Sequence, residues 1–252
     1  MSYNQLIETA QKYLPPEKVA VVEAAYQYAM KAHKGQLRKS GGPYLEHPLH
    51  VALTLAELQL DTSSLAAALL HDVPEDCGVP ISEIQAKFGP EIAKLVDGVT
   101  KLSKLSLQEI AETGPKSNST AREKQAENLR KMLVAMAEDL RVVFIKLADR
   151  LHNMQTLEAL APEKRRSIAQ ETAEVYAPLA HRLGIWELKW QLEDLSFRYL
   201  EPRKYNQVAK LVADRRTQGE SFIDPVIQIL RQEFEKARLK AEVSGRPKHI
   251  FS

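Results

Sequence analysis

The chain has 252 residues, 44% of them hydrophobic and 27% charged, with only 10 glycines, a composition that supports a buried helical core and argues against disorder. Its formal net charge of +2 leaves no electrostatic footprint for a duplex, so direct nucleic-acid binding is not expected. A single cysteine, Cys77, excludes an internal disulfide and a multi-cysteine zinc cage.

The N-terminal segment carries Glu8 and has no continuous apolar core, so it does not read as a signal peptide. No run of about 18 apolar residues occurs, so no membrane span is expected. The compartment expected is reducing and cytoplasmic. Pro15-Pro16 predicts a helix start, because proline's missing N–H is not needed in the first turn. Val19, Val22, Tyr26, Ala29 and Met30 then follow at helical spacing and predict one buried stripe. A second start is expected at Pro48, running through Val51 and Leu55 to Leu58. Asp61-Thr62 offers a cap for Leu65–Leu70, and Phe88-Gly89-Pro90 reads as a helix end followed at once by a new start. Thr113–Thr120 is rich in breakers and reads as a loop. Helices are expected again over Asn128–Met136, from Val142 to about Leu160, from Pro162, and over Glu187–Leu200. No strand and no internal repeat is predicted. The β-prone run Val142–Ile145 continues at helical period through Asp149 and Asn153, which favours a buried helix. The fold class is therefore all-α, a bundle of roughly ten helices.

Three segments hold polar residues where apolar ones would be expected. His71-Asp72 closes the apolar run Leu65–Leu70, and a carboxylate there is costly to bury without a cation or hydrogen-bonded partner. Asp149 repeats the problem after Val142–Ala148. Asp149, Asn153 and Thr156 are spaced i, i+4 and i+7 and share one helix face, whereas Arg150 and His152 lie on other faces and make poor partners for Asp149 within the helix. A buried pair with a residue from elsewhere in the fold is the alternative to a metal site. His47 adds a second imidazole. Two histidines and two carboxylates form a mixed N/O set suited to Mn²⁺, Fe²⁺ or Zn²⁺ with positions left for water and substrate. Arg38, Lys39 and Ser40 precede His47 in a glycine-containing loop, where basic side chains and exposed backbone can grip phosphate. Glu75-Asp76 reads, taken alone, equally well as a solvated pair at a helix end.

The order H…HD…D is that of the HD superfamily of metal phosphohydrolases. RKSGGPYLEHP, LLHDVPED, DGVTKL, IKLADRLHNM and YAPLAHRLGI, in this order between about residues 18 and 200, are similar to the hydrolase domain of the RelA/SpoT homologues, which make and degrade (p)ppGpp. The resemblance implies an HD-type hydrolase domain over residues 1–200 that removes the 3′-pyrophosphate of ppGpp or pppGpp. It implies His47, His71, Asp72 and Asp149 as metal ligands, usually for Mn²⁺, and Glu75 and Asp76 as the pair that orients and activates water. It assigns Arg38, Lys39 and Ser40 to the guanine nucleotide, with Asn153, Thr156 and Tyr176 on the ribose and base side. Lys101, Arg122 and Lys124 flank the 113–120 loop and are candidates for the polyphosphate.

Two positions depart from the family pattern. Pro74 replaces an apolar residue in HDVVED, and proline there disfavours helical geometry at Val73, which puts the placement of Glu75 in question. Gln155 stands where relatives carry Arg. All HD and ED residues are retained, which favours active hydrolysis. Residues 201–252 read as a helical connection followed by Glu242–Ser252, which resembles the opening of a synthetase domain. Synthetase and regulatory domains of a longer chain are thus expected partners, and synthesis is not expected here. The rival readings are an HD phosphohydrolase for another nucleotide such as NADPH, and a non-catalytic nucleotide-sensing module.

Overall fold

The computed structural model describes residues 2–38, 41–112 and 138–237, together with 239, 241 and 243. The expected 113–120 loop and the 128–136 helix lie outside the described residues, as does most of the 242–252 tail. Among the described residues there is no strand, only an isolated antiparallel bridge between Leu37 and Pro43. The all-α expectation holds.

The helices begin and end where local chemistry dictates. Helix α1 (Tyr3–Gln11) is capped by the Ser2 hydroxyl, which accepts from the Gln5 N–H. Helix α2 (Pro16–Ala32) starts on the expected proline. Helix α3 (Glu46–Glu57) begins two residues before Pro48. Proline is tolerated there because the first-turn amides have no intrahelical partner in any case. Asp61 caps α4 (Thr62–Leu70) by accepting from the Ser64 N–H at 2.9 Å. A single turn, α5 (Val73–Asp76), follows, then α6 (Ile81–Phe88). Gly89, at φ 88°, makes the left-handed break before α7 (Pro90–Glu112). Asp139 caps α8 (Leu140–Gln155) through the Arg141 N–H. Beyond a 3₁₀ turn at Leu157–Ala159 come α9 (Pro162–Glu171), a π turn at Thr172–Tyr176, α10 (Ala177–Arg182), α11 (Trp186–Leu200) and α12 (Pro202–Lys236). None of the helices among the described residues is long and apolar enough to cross a membrane.

Helix α4 is the axis of the first core half. Its residues Leu65 to Leu70 are all fully buried, and it packs on α2, α3, α7 and α8. Helix α8 belongs to both halves. Val142, Ile145 and Ala148 face the first half, while Val143, Leu147, Leu151 and Met154 face a second one built with α10 and α11. A helix apolar around most of its girth is what Val142–Met154 predicted. The α2 stripe is partly corrected. Val19, Val22 and Ala29 are buried, as is Ala25, but Met30 is 40% exposed, because the buried arc is centred nearer Val22 and Ala29 and leaves Met30 at its rim.

Helices α7 and α8 approach closely at Gly98, where an added Cβ would sit 2.8 Å from Val142 Cγ2. Val142 is buried and β-branched, so it has few rotamers into which to retreat. Gly98→Ala should therefore lower stability by about 1–2 kcal/mol, the overpacking cost outweighing alanine's helix advantage of about 1 kcal/mol. Val142→Ala in the same chain should remove that penalty. Urea midpoints of the two single variants and the double variant check this, and additive losses would contradict it.

Candidate active site

Three helix segments deliver the predicted polar residues to one place. His47 lies in the first turn of α3, His71 just beyond the end of α4, and Asp149 midway along α8, and all three are buried. One ligand atom from each lies within 4.8 Å of the others. Asp72 completes the group from its edge. Its Oδ1 is 3.1 Å from His71 Nε2 and its Oδ2 is 3.5 Å from His47 Nε2. His47 Nε2 is also 3.2 Å from Asp149 Oδ1.

Pro74 does not disturb this arrangement. The α4 helix ends at Leu70, so no bond from residue 74 to residue 70 is required. His71 and Asp72 form a turn, and Pro74 falls in the first turn of α5, where its missing N–H costs nothing. The Asp76 N–H then bonds back to the Asp72 carbonyl at 2.9 Å. Glu75 is half-buried and Asp76 exposed on this turn, which follows Asp72.

The imidazole of His71 has only one orientation open to it. Its Nδ1 is 2.7 Å from the Ala68 carbonyl, which can only accept, so Nδ1 carries the proton. The buried Nε2 is left as a lone pair without a hydrogen bond, facing Asp72. A lone pair aimed at a carboxylate oxygen is repulsive unless a cation lies between them. This orphaned atom and the mixed imidazole–carboxylate set both fit a divalent metal. Burial alone would raise the Asp149 pKa, but Lys146, then His47 and His71, hold the carboxyl well below its ordinary range. Lys146 Nζ is 2.6 Å from Asp149 Oδ2, and the Asn153 amide donates to Asp149 Oδ1 at 2.6 Å. Burial pushes His47 below its ordinary value, against the pull of Asp149. The Tyr44 hydroxyl is held protonated by burial and by Asp72 and Asp76, and it donates to Asp72 Oδ2 at 2.9 Å.

Beside this group lies a second cluster. Arg38 reaches from the 36–44 loop to α8 and donates to Asn153 Oδ1 at 3.0 Å, to Thr156 Oγ1 at 3.4 Å and to His152 Nδ1 at 3.0 Å. The loop is closed by Arg38 N–H to the Gly42 carbonyl and Tyr44 N–H to the Gln36 carbonyl, with Gly41 at φ 90°. Arg38, Asn153 and Thr156 thus come together as expected. Lys39 and Ser40 lie outside the described residues, as do Arg122 and Lys124. Lys101 is exposed and pairs with Asp97 on its own helix. Tyr176 is not in this cluster. It is buried in the second core half with the Arg150 guanidinium 3.9 Å from its ring centroid. Gln155 is exposed.

Sequence reasoning gives Lys146 and Tyr44 no role and sees His152 only as a poor partner for Asp149. Lys146 stands three residues before Asp149, a spacing that puts both on one helix face, yet only Arg150 and His152 were weighed as partners. Tyr44 lay inside a matched motif and was given no role. His152 makes its contact with another element, and no helical spacing foretells that.

A family model described as the HD domain matches residues 25–186, a span that includes all the residues of the two clusters above. The chain is 48% identical over 244 residues to the GTP pyrophosphokinase of Myxococcus xanthus, covering 97% of this chain and 31% of that protein. It is 45% identical over 251 residues to the bifunctional (p)ppGpp synthase/hydrolase SpoT of Escherichia coli, covering 100% of this chain and 34% of that protein. The chain thus spans about a third of the length of these curated relatives. A solved structure, described as a metazoan ortholog of SpoT that hydrolyzes ppGpp and plays a role in starvation responses, matches with a TM-score of 0.51 and 26% identity. That match covers 73% of this chain and 96% of the solved one.

Lys146→Met should leave the buried Asp149 charge short of a partner and cost about 3–5 kcal/mol in chelator-treated protein. Part of the loss should return on adding a divalent cation. Because the Asp149 pKa is depressed, its ionised form contributes stability that is complete above the ordinary value of 3.8 and is lost as pH falls through the lower folded value. Losing Lys146 raises that folded value, so the acid-unfolding midpoint should move up. Denaturant midpoints with and without cation, and an acid titration by circular dichroism, read both effects.

Proposed function

The chain belongs to the HD domain family, and on that premise we propose that it is a Mn²⁺-dependent 3′-pyrophosphohydrolase of ppGpp and pppGpp, acting in the cytoplasm and releasing GDP or GTP plus pyrophosphate. The observation that carries the reading is the juxtaposition of the His47, His71, Asp149 and Asp72 group with the Arg38–Asn153–Thr156 cluster. The group that could hold an ion and the donor-rich cluster meet on one helix, α8, through Asp149 and Asn153. The name of the Escherichia coli relative includes hydrolysis of (p)ppGpp. The metazoan structure supports hydrolysis rather than synthesis, since nearly all of that ppGpp-hydrolysing chain is matched. In this reading residues 1–200 form the hydrolase domain and residues 201–252 lead toward synthetase and regulatory domains.

His47, His71, Asp72 and Asp149 would hold the ion, which when bound supplies Lewis acidity at a phosphoryl oxygen and makes water more acidic. The residues do the rest. Tyr44 donates to Asp72 and orients its carboxylate. Lys146 and Asn153 hold both oxygens of Asp149 and fix its direction. Arg38 turns from its α8 acceptors toward phosphate or base, and Asn153 and Thr156 are then free to bond the nucleoside. Lys39 and Ser40 extend the same grip. Water adds to the phosphorus attached to the ribose 3′ oxygen, and the bond from that phosphorus to the ribose oxygen breaks. The water's proton passes to one carboxylate of the Glu75–Asp76 pair while the other holds the water in line, and the first carboxylate returns the proton to the ribose oxygen, which leaves as a hydroxyl.

Incubating the purified chain with ppGpp and Mn²⁺ should release pyrophosphate. Asp72→Ala should abolish release, and Glu75→Gln or Asp76→Asn should slow it by about 10²–10⁴-fold. No pyrophosphate from the unmodified chain, or undiminished release after Asp72→Ala, would sink the reading.

A further inference from the structure

His152 has no place in the ion group or in the proposed chemistry, yet it is buried between the two clusters. Its Nδ1 is 2.8 Å from His47 Nδ1 and 3.0 Å from an Arg38 terminal nitrogen, and its ring stacks on His50 with centroids 4.4 Å apart. Guanidinium nitrogens have protons to give and nothing with which to accept. A proton on His152 Nδ1 would therefore meet the Arg38 N–H head on. With a lone pair there instead, His152 Nδ1 accepts from Arg38, and His47 Nδ1 must be a second donor sharing that one lone pair, since two lone pairs 2.8 Å apart would repel. The proton of His47 is thereby kept on Nδ1. Its Nε2 is left as a lone pair directed at Asp149 Oδ1 and Asp72 Oδ2, the two carboxylates with which it would share an ion.

We propose that His152 is a positioning residue, a hydrogen-bond acceptor that fixes the Nδ1-protonated form of His47 and so presents His47 Nε2 to the metal. This rests on the metal-site reading above. Such outer partners orient an imidazole ligand and raise its basicity. Here the partner is a second histidine whose acceptor state is set by Arg38, the residue proposed to grip the nucleotide. Without the His152 acceptor, His47 can carry its proton on Nε2 and donate it to Asp149 Oδ1, which blocks the ligand nitrogen.

Two variants separate the acceptor from simple packing. His152→Leu fills the space without accepting, whereas His152→Asn places an amide oxygen near the position of Nδ1. Mn²⁺ affinity, measured by electron paramagnetic resonance on the 252-residue chain, should fall about 10- to 100-fold in His152→Leu and recover most of that loss in His152→Asn. Failure of the unmodified chain to bind Mn²⁺ would overturn the metal reading. Binding by the unmodified chain with equal affinity in His152→Leu, or with equal loss in both variants, would overturn only the role of His152. A measurement on unmodified chain needs no variant to fold. In metal-free protein at about pH 8, above the ordinary imidazole range, ¹⁵N-detected ring correlations should show His47 protonated on Nδ1. A neutral His47 protonated on Nε2 would refute the proposal.

Discussion

A carboxylate buried in the middle of a shared helix is the constraint to which the rest of this structure answers. Asp149 sits on α8 where two halves of the core meet, and its side chain is almost wholly buried. The cost of moving an ion of this size out of water is several kcal/mol even after relaxation. Lys146 and Asn153 each offset part of it. Lys146 supplies a full charge, so one acidic group is balanced within the helix itself. Among the described residues no lysine or arginine pairs with Asp72, and the His71 Nε2, which has no hydrogen bond, faces it. A cation bound there would balance the Asp72 charge, at the point where atoms of His47, His71 and Asp149 lie within 4.8 Å of one another.

The fold resolves this by geometry rather than by solvent. Helix α4 is buried on every side, so the turn after Leu70 is held from all directions and His71 and Asp72 have little freedom. Helix α3 packs on both α4 and α8 and presents His47 from its first turn, where the chain has just emerged from the loop that carries Arg38. Three rigid supports at one point suit a site that must hold donors to within a fraction of an ångström.

Much of the backbone was legible because its signals are local. Pro16, Asp61 and Gly89-Pro90 act within one helical turn, and each boundary fell where its chemistry put it. The candidate ligands were legible for a different reason. Carboxylates and imidazoles placed after apolar runs conflict with burial, and the conflict shows before any fold is known. What escaped depends on distance in space. The His152–His47 contact joins residues 105 apart in sequence, and nothing in either segment specifies it. Pro74 misled because its effect turns on whether a helix runs through it. The break after Leu70, which depends on how α4 meets its neighbours, makes a feared disruption into an ordinary helix start. Met30 misled for a smaller reason, since periodicity gives a stripe but not its exposed rim.

Helix α8 also ties the two clusters to one ruler. From Asp149 to Thr156 the axis advances about 10 Å at about 1.5 Å per residue, and packing on both faces leaves that spacing little room to change. Arg38 spans the interval, bonded to residues 152, 153 and 156 but not to 149. Asp149 of the first cluster and Asn153 and Thr156 of the second are thus fixed relative to each other by one hydrogen-bonded element. A ligand that draws Arg38 away from α8 must also release its bond to His152, the neighbour of His47. The two clusters are accordingly adjacent in energy as well as in space: any change in what Arg38 bonds alters the acceptor against which His47 keeps its proton.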